Sequence, residues 1–214
     1  QYILITAAES ISENKLGGIS FFPNSSTGAD IFYWPYIFTP LFYSLLLDFI
    51  PNLYKFYFIF ILEFLIAVFV LIIFLKRLLK YLNVNENIVY IFFIILFFSP
   101  LFNQYFIGVK STYRWCFIFS MLSIYFLFNL FDRNKTNHKR SDLFFCGFFS
   151  SLSPMAFISV GLPIFFGIQI SFFIQNFFIN IKNNPKKIVN FSIFFFGSLI
   201  PIFLLIIYFT NFSN

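Results

Sequence analysis

Apolar residues in this chain follow neither the strand period nor the stripe of a surface helix; they run almost unbroken for some twenty positions at a time, between short polar loops. A helix crossing about 30 Å of hydrocarbon needs about 20 mostly apolar residues. Six runs fit: 56–75, 88–106, 115–131, 143–160, 163–181 and 188–210. The fourth holds Ser150, Ser151, Ser153 and Pro154, which points to a broken helix whose freed backbone is satisfied by neighbouring protein. The pattern therefore predicts an all-α, polytopic transmembrane bundle.

Basic residues concentrate in cytoplasmic loops, and here they fall in alternate gaps. Lys76, Arg77 and Lys80 follow the first run; Arg133, Lys135, Lys139 and Arg140 follow the third; Lys182, Lys186 and Lys187 follow the fifth. The complementary gaps hold Lys55, then Lys110 and Arg114, then no charge. The alternation closes only if 143–181 crosses twice, with a break near Gly161 and Pro163. It places residues 1–55 outside as a loop with juxtamembrane helices, and 56–214 as a bundle of about six spans.

That outer segment has its own pattern. Residues 6–18 read as a short amphipathic helix ending at Gly17 and Gly18. Residues 38–50 are apolar but too short to span, and they are bracketed by Pro40 and Pro51, which suits a helix lying along the membrane surface.

Composition narrows the class. Only 10% of residues are charged against 60% hydrophobic, too few to clothe a water-soluble domain. The 41 Phe, with abundant Ile and Asn, are what an AT-rich coding sequence gives, so the Phe count is not read as aromatic chemistry. The net charge of +6 is accounted for by the inner loops facing anionic lipid. No Gly-rich phosphate loop, zinc spacing or nucleic-acid motif is present. Cys116 and Cys146 lie in apolar runs and read as small buried hydrophobes. The first thirty residues lack the basic start and apolar stretch of a cleavable signal. A chain beginning at Gln1 and ending at Asn214 reads as a fragment, with a further membrane helix expected upstream.

The string GADIFYWPYIFTPLFYSLLLDFIP, from Gly28 to Pro51, followed by a span ending in Lys76 and Arg77, resembles the polyprenol-phosphate-sugar-dependent membrane glycosyltransferases of the C-type fold, nearest to their mannosyltransferase branches, glycosyltransferase family 87 and the GPI-mannosyltransferase-like enzymes. Tyr36, Thr39, Pro40 and Leu41 look like that family's tyrosine and proline motif at the start of a juxtamembrane helix, with two extra residues after the Tyr. Ser99 and Pro100, leading to Gly108, Lys110, Ser111, Thr112 and Arg114, are similar to its second external loop, where polar and basic residues face the lipid phosphate. Gly147 to Pro154 resembles a Gly-rich helix that stops at a lysine; Ser153 stands where that lysine is expected.

The resemblance implies transfer of a hexose, mannose above all, from a polyprenyl-phosphate donor to a glycan or lipid acceptor. The enzyme would sit in a prokaryotic plasma membrane or the endoplasmic reticulum. Some members use a divalent metal, Mg or Mn, and others none; no cluster in the sequence decides between them. Such transfer needs a cation on the leaving phosphate and a carboxylate to activate the acceptor hydroxyl. Lys110 and Arg114, four apart, would share a helix face and grip a phosphate, or else anchor the span beside Trp115. Asp30 is the carboxylate beside the Tyr and Pro motif and the candidate base, with a loop-turn or capping role as the alternative. The family's decisive carboxylate sits early in its first external loop, a position that can fall before Gln1.

Glu9 and Glu13 read as a solvated helix face. Asp48 lies near enough to Pro51 to reach headgroups. His138, alone in a basic loop, is assigned no role. Asn24, Asn134, Asn190 and Asn211 begin glycan-acceptor sequences of the kind Asn-rich chains produce by chance. Glu63 lies inside a run, where a carboxylate is costly and faces the bundle interior. It is either a proton or substrate site or a structural hydrogen-bonding group. The rival functions are a secondary transporter or flippase, which would use Glu63 and the broken fourth run, and a non-catalytic membrane subunit, which the missing lysine at Ser153 would suit.

Overall fold

The computed structural model describes residues 55–85, 87–100, 111–131, 140–179 and 186–212. Every regular element among them is helical: α1 Lys55–Tyr81, α2 Ile88–Phe98, α3 Ser111–Phe131, α4 Arg140–Ala156, α5 Ile158–Ile174 with a π-helical turn at Gln175–Ile179, and α6 Lys186–Phe212.

The side chains are partitioned the opposite way from a water-soluble bundle. On α1, Tyr57, Ile61, Leu65 and Phe69 recur every four residues and are exposed, while Glu63, Ala67 and Leu71 on the other face are buried. Arg114, Ser120, Ser123, Ser150, Ser151, Ser153 and Ser198 are buried too, and large apolar residues cover the outside of α2, α5 and α6. Among the described residues three helical stretches, Tyr57–Tyr81, Tyr113–Phe131 and Ile158–Phe177, are long and apolar enough to cross a membrane.

Contacts fix the helix directions. Glu63 bonds to Arg114 and Arg77 to the Phe128 carbonyl; both pairs are 51 residues apart, so α1 and α3 run parallel. Ser123 bonds to the Cys146 carbonyl and Ser120 to Ser153, so α4 returns antiparallel to α3. Phe172 stacks on Phe194 and Phe177 meets Phe191, so α6 is antiparallel to α5.

Boundaries differ from the sequence expectation at several places: α2 ends at Phe98, inside the run 88–106, where Ser99 turns extended, and α3 begins at Ser111, ahead of 115. Two further differences bear on packing. The first run was expected to stop at Leu75, but α1 continues through Lys76, Arg77 and Lys80 to Tyr81. These residues are good helix formers, and Arg77 Nη2 donates at 3.3 Å to the Phe128 carbonyl, one of the four at the end of α3 that lack an intrahelical donor. The end of α1 is a Schellman motif. Val84 N–H bonds the Leu79 carbonyl, Asn83 N–H bonds that of Lys80, and Asn83 takes the left-handed φ of 58°.

The second difference is the break in 143–181, which lies at Phe157 and not near Gly161 and Pro163. Phe157 alone is extended (φ −159°, ψ 104°). Its N–H still bonds the Ser153 carbonyl and its carbonyl accepts from Gly161 N–H, so the joint leaves neither group unsatisfied. Pro154 lies in the last turn of α4, where ending the helix costs little; Pro163 is carried inside α5. The chain does turn back here. Gly161 lies against the Ser153 backbone, and Gln169 reaches Ser150.

At 17 residues, α4 is not among the stretches able to span by themselves, yet it packs against α3, α5 and α6. Its approach to α6 is set by glycines. An added Cβ at Gly147 would lie 2.1 Å from the Phe194 carbonyl oxygen, and one at Gly197 would lie 2.3 Å from that of Phe144. Helix pairs in lipid gain their contact from this small-residue packing rather than from expelled water.

Candidate functional site

Polar side chains gather at the end of the bundle where α3 begins and α4 turns into α5. Arg114 and Trp115 lie in the first turns of α3, and both reach across to α1. Arg114 Nη1 donates to Glu63 Oε2 at 2.9 Å, with both side chains 0% exposed. The indole N–H of Trp115 donates to the other carboxylate oxygen, Oε1. The Arg114 guanidinium also lies 5.0 Å from the centroid of the Phe60 ring, one turn before Glu63. Both oxygens of Glu63 are thus engaged by donors and its charge is matched by the guanidinium, which is how an ion pair survives inside an apolar wall.

On the other side of α3, Cys116 and Ser120, one turn apart, face α4. Ser120 Oγ lies 2.8 Å from Ser153 Oγ and bonds the Cys116 carbonyl at 2.7 Å; Cys116 Sγ lies 3.3 Å from Ser153 Oγ. Tyr113 packs on Phe157, their ring centroids 4.2 Å apart. A second polar group ties α4, α5 and α6 together. Gln169 Nε2 donates to Ser198 Oγ at 3.1 Å and to Ser150 Oγ at 3.4 Å.

The sequence candidates separate accordingly. Arg114 is buried against Glu63, and of the two roles weighed for Glu63 the geometry displays the hydrogen-bonded ion pair. Lys110, Asp30, Tyr36, Thr39 and Pro40 lie outside the described residues, as do Glu9, Glu13, Asp48, His138 and both helices expected before residue 55. Ser153, where the resemblance expects a lysine, is fully buried between α3 and α4. Among the described residues no three His, Cys, Asp or Glu side chains come together. Glu63 already spends both oxygens on Arg114 and Trp115, so among the described residues this carboxylate does not fit Mg or Mn.

No family model, curated protein or solved structure matches this chain.

Three partners were not anticipated from sequence. Trp115 is given no role of its own there, and its bond to Glu63 shows only when α1 and α3 lie parallel. Ser120 and Ser153 carried a faint signal, since each stands one turn from another serine, Ser123 on α3 and Ser150 on α4, and small residues so spaced in apolar runs commonly mark a helix interface. Placing the family's lysine at this position has a clear expected result. Ser153→Lys would force an ammonium into the α3–α4 contact and cost about 3 kcal/mol. The purified variant should unfold at lower temperature in detergent than Ser153→Ala, which loses about 1 kcal/mol.

Proposed function

We propose that this chain is a multi-pass integral membrane protein and, within that class, a glycosyltransferase that moves a hexose, mannose first, from a polyprenyl phosphate to a glycan or lipid acceptor on the outer face. The membrane part is supported by the partition on α1, where Tyr57, Ile61, Leu65 and Phe69 face outward while Glu63 faces Arg114 within. The transferase part is supported by the resemblance over residues 28–51 and 99–114. In this reading the polar end of the bundle is the outer end, and Lys110 immediately precedes Ser111, the first residue of α3, in the sequence. Lys110 meets the donor phosphate, while Arg114, held by Glu63, fixes the turn of α3 behind it. An outer carboxylate, Asp30 in this chain, takes the acceptor proton as the phosphate leaves, and single displacement inverts the anomeric carbon.

The test uses the full-length protein in proteoliposomes with radiolabelled mannosyl polyprenyl phosphate. Transfer should occur and fall about 10²–10⁴-fold in Asp30→Asn, the range for loss of a general base. In the same vesicles, Asn83→Cys should label only from the side of Lys76 and Lys80, and Lys110→Cys only from the opposite side. Absence of transfer from any polyprenyl-linked sugar, with the labelling as expected, would leave the membrane reading standing and remove the enzymatic one.

A secondary transporter is the second reading, favoured by an ion pair inside the bundle and by the one-residue break at Phe157. It predicts solute uptake that Glu63→Gln abolishes, with no sugar transfer.

A further inference from the structure

We infer that Glu63 and Arg114 form a register key, setting which residues of α1 and α3 meet, in a pairing that apolar packing alone would leave free to slide. This pairing would act in the same way whatever the protein does.

The surface α1 offers to α3 is made of Phe64, Ala67, Val68, Val70, Leu71, Phe74 and similar residues, all apolar. Sliding such a face by one turn exchanges one apolar contact for another. In lipid no hydrophobic gain opposes the slide, because acyl chains are as apolar as leucine. Charge is different. Glu63 Oε2 meets Arg114 Nη1 at 2.9 Å in one register only, and Trp115 must meet the second oxygen in that same register. Displacement by a turn, about 5.4 Å, would leave a carboxylate and a guanidinium each buried without the other. The far end repeats the offset of 51 residues, with Arg77 on the Phe128 carbonyl, but that bond can pass to a neighbouring carbonyl and so follows the register without defining it. A single buried polar contact fixing alignment between otherwise uniform helices is the best-attested use of such groups.

The test is cross-linking in the full chain, with Cys116 and Cys146 replaced by Ser. One reporter pair is Tyr81→Cys with Phe128→Cys, whose native rings are 4.9 Å apart. The other is Tyr81→Cys with Ile124→Cys, which pairs only after a slide of one turn. With Glu63 and Arg114 present, the first pair should dominate at least tenfold. In Glu63→Leu with Arg114→Leu together, neither member of the ion pair remains at this level, and the Trp115 indole N–H loses its Glu63 acceptor. The protein should still accumulate, and the two pairs should cross-link to within about threefold of each other. A doubly apolar protein that retains the tenfold preference would overturn the inference, because packing would then hold the register. One that fails to accumulate would overturn it as well, making the pair a condition of folding. Single variants, which can fail to fold because one charge is left unmatched, are not needed for the decision.

Discussion

Glu63→Leu is expected to destabilise the protein by about 3–5 kcal/mol, the cost of leaving a buried charge without its partner. The variant removes the acceptor of both Arg114 Nη1 and the Trp115 indole, in a place where neither donor is accessible to water. The contact with the Phe60 ring offsets only part of this, since a desolvated cation–π contact is worth about 2 kcal/mol. Replacing both charges is expected to be far milder. Glu63→Leu with Arg114→Leu leaves Trp115 short of one acceptor but no naked charge, and should lie within about 1–3 kcal/mol of the parent. Denaturation in mixed micelles, followed by Trp115 fluorescence, measures all the variants. Equal losses in the single and double variants would show that shape rather than charge accounts for the effect.

Gly147→Ala carries the second large effect, and two terms of opposite sign decide it. Alanine gains about 0.5–1 kcal/mol of helix propensity over glycine. Against that, the new methyl would lie 2.1 Å from the Phe194 carbonyl oxygen and 3.0 Å from Ser198 N. A backbone carbonyl in mid-helix cannot swing aside, so α4 and α6 must separate. The bond from Gln169 to Ser198 would stretch with them. Overpacking of this kind costs about 1–3 kcal/mol and here is expected at the upper end, so a net loss of about 2 kcal/mol follows. Gly167→Ala is the control, because nothing lies within 4 Å of its added Cβ. It should be stabilised by about 0.5–1 kcal/mol. Thermal unfolding in one detergent compares the two; loss of stability in both would mean that glycine itself, not the α4–α6 contact, is what these positions require.

Much of the helical architecture was legible because the code for it is coarse. Long apolar runs and intervening basic loops locate α1, α3 and the return within 143–181 without any side-chain geometry. Helix ends were less legible. The continuation of α1 past Leu75 depends on the Phe128 carbonyl, which no local pattern announces. The break at Phe157 was displaced because Pro and Gly draw the eye to 161–163, whereas a proline is also accommodated within a helix, as Pro163 and Pro201 are. In the polar cluster, Glu63 and Arg114 were each visible as buried-charge problems, but their mutual solution requires two parallel helices and is invisible to any window of sequence. Nothing in the sequence set Arg114 beside Glu63 rather than beside a ligand. The motif residues Asp30, Tyr36, Thr39 and Pro40 rest on resemblance alone, which is why their test is functional.

The burial of α4 bears on the order of events during synthesis. This helix, with Ser150, Ser151 and Ser153 turned inward, is covered by α5 and α6, which emerge later. At roughly 5–20 residues per second, the ribosome delivers the end of α6 several seconds after Ala156. Through that interval, of the described helices that pack on α4, only α3 is there to receive its hydroxyl groups. The Ser120–Ser153 and Ser123–Cys146 contacts are then a provisional shelter during biogenesis. A lesion at Ser120 or Ser123 would accordingly be felt as nascent chains lost to quality control, more than as weakness in the molecules that finish folding.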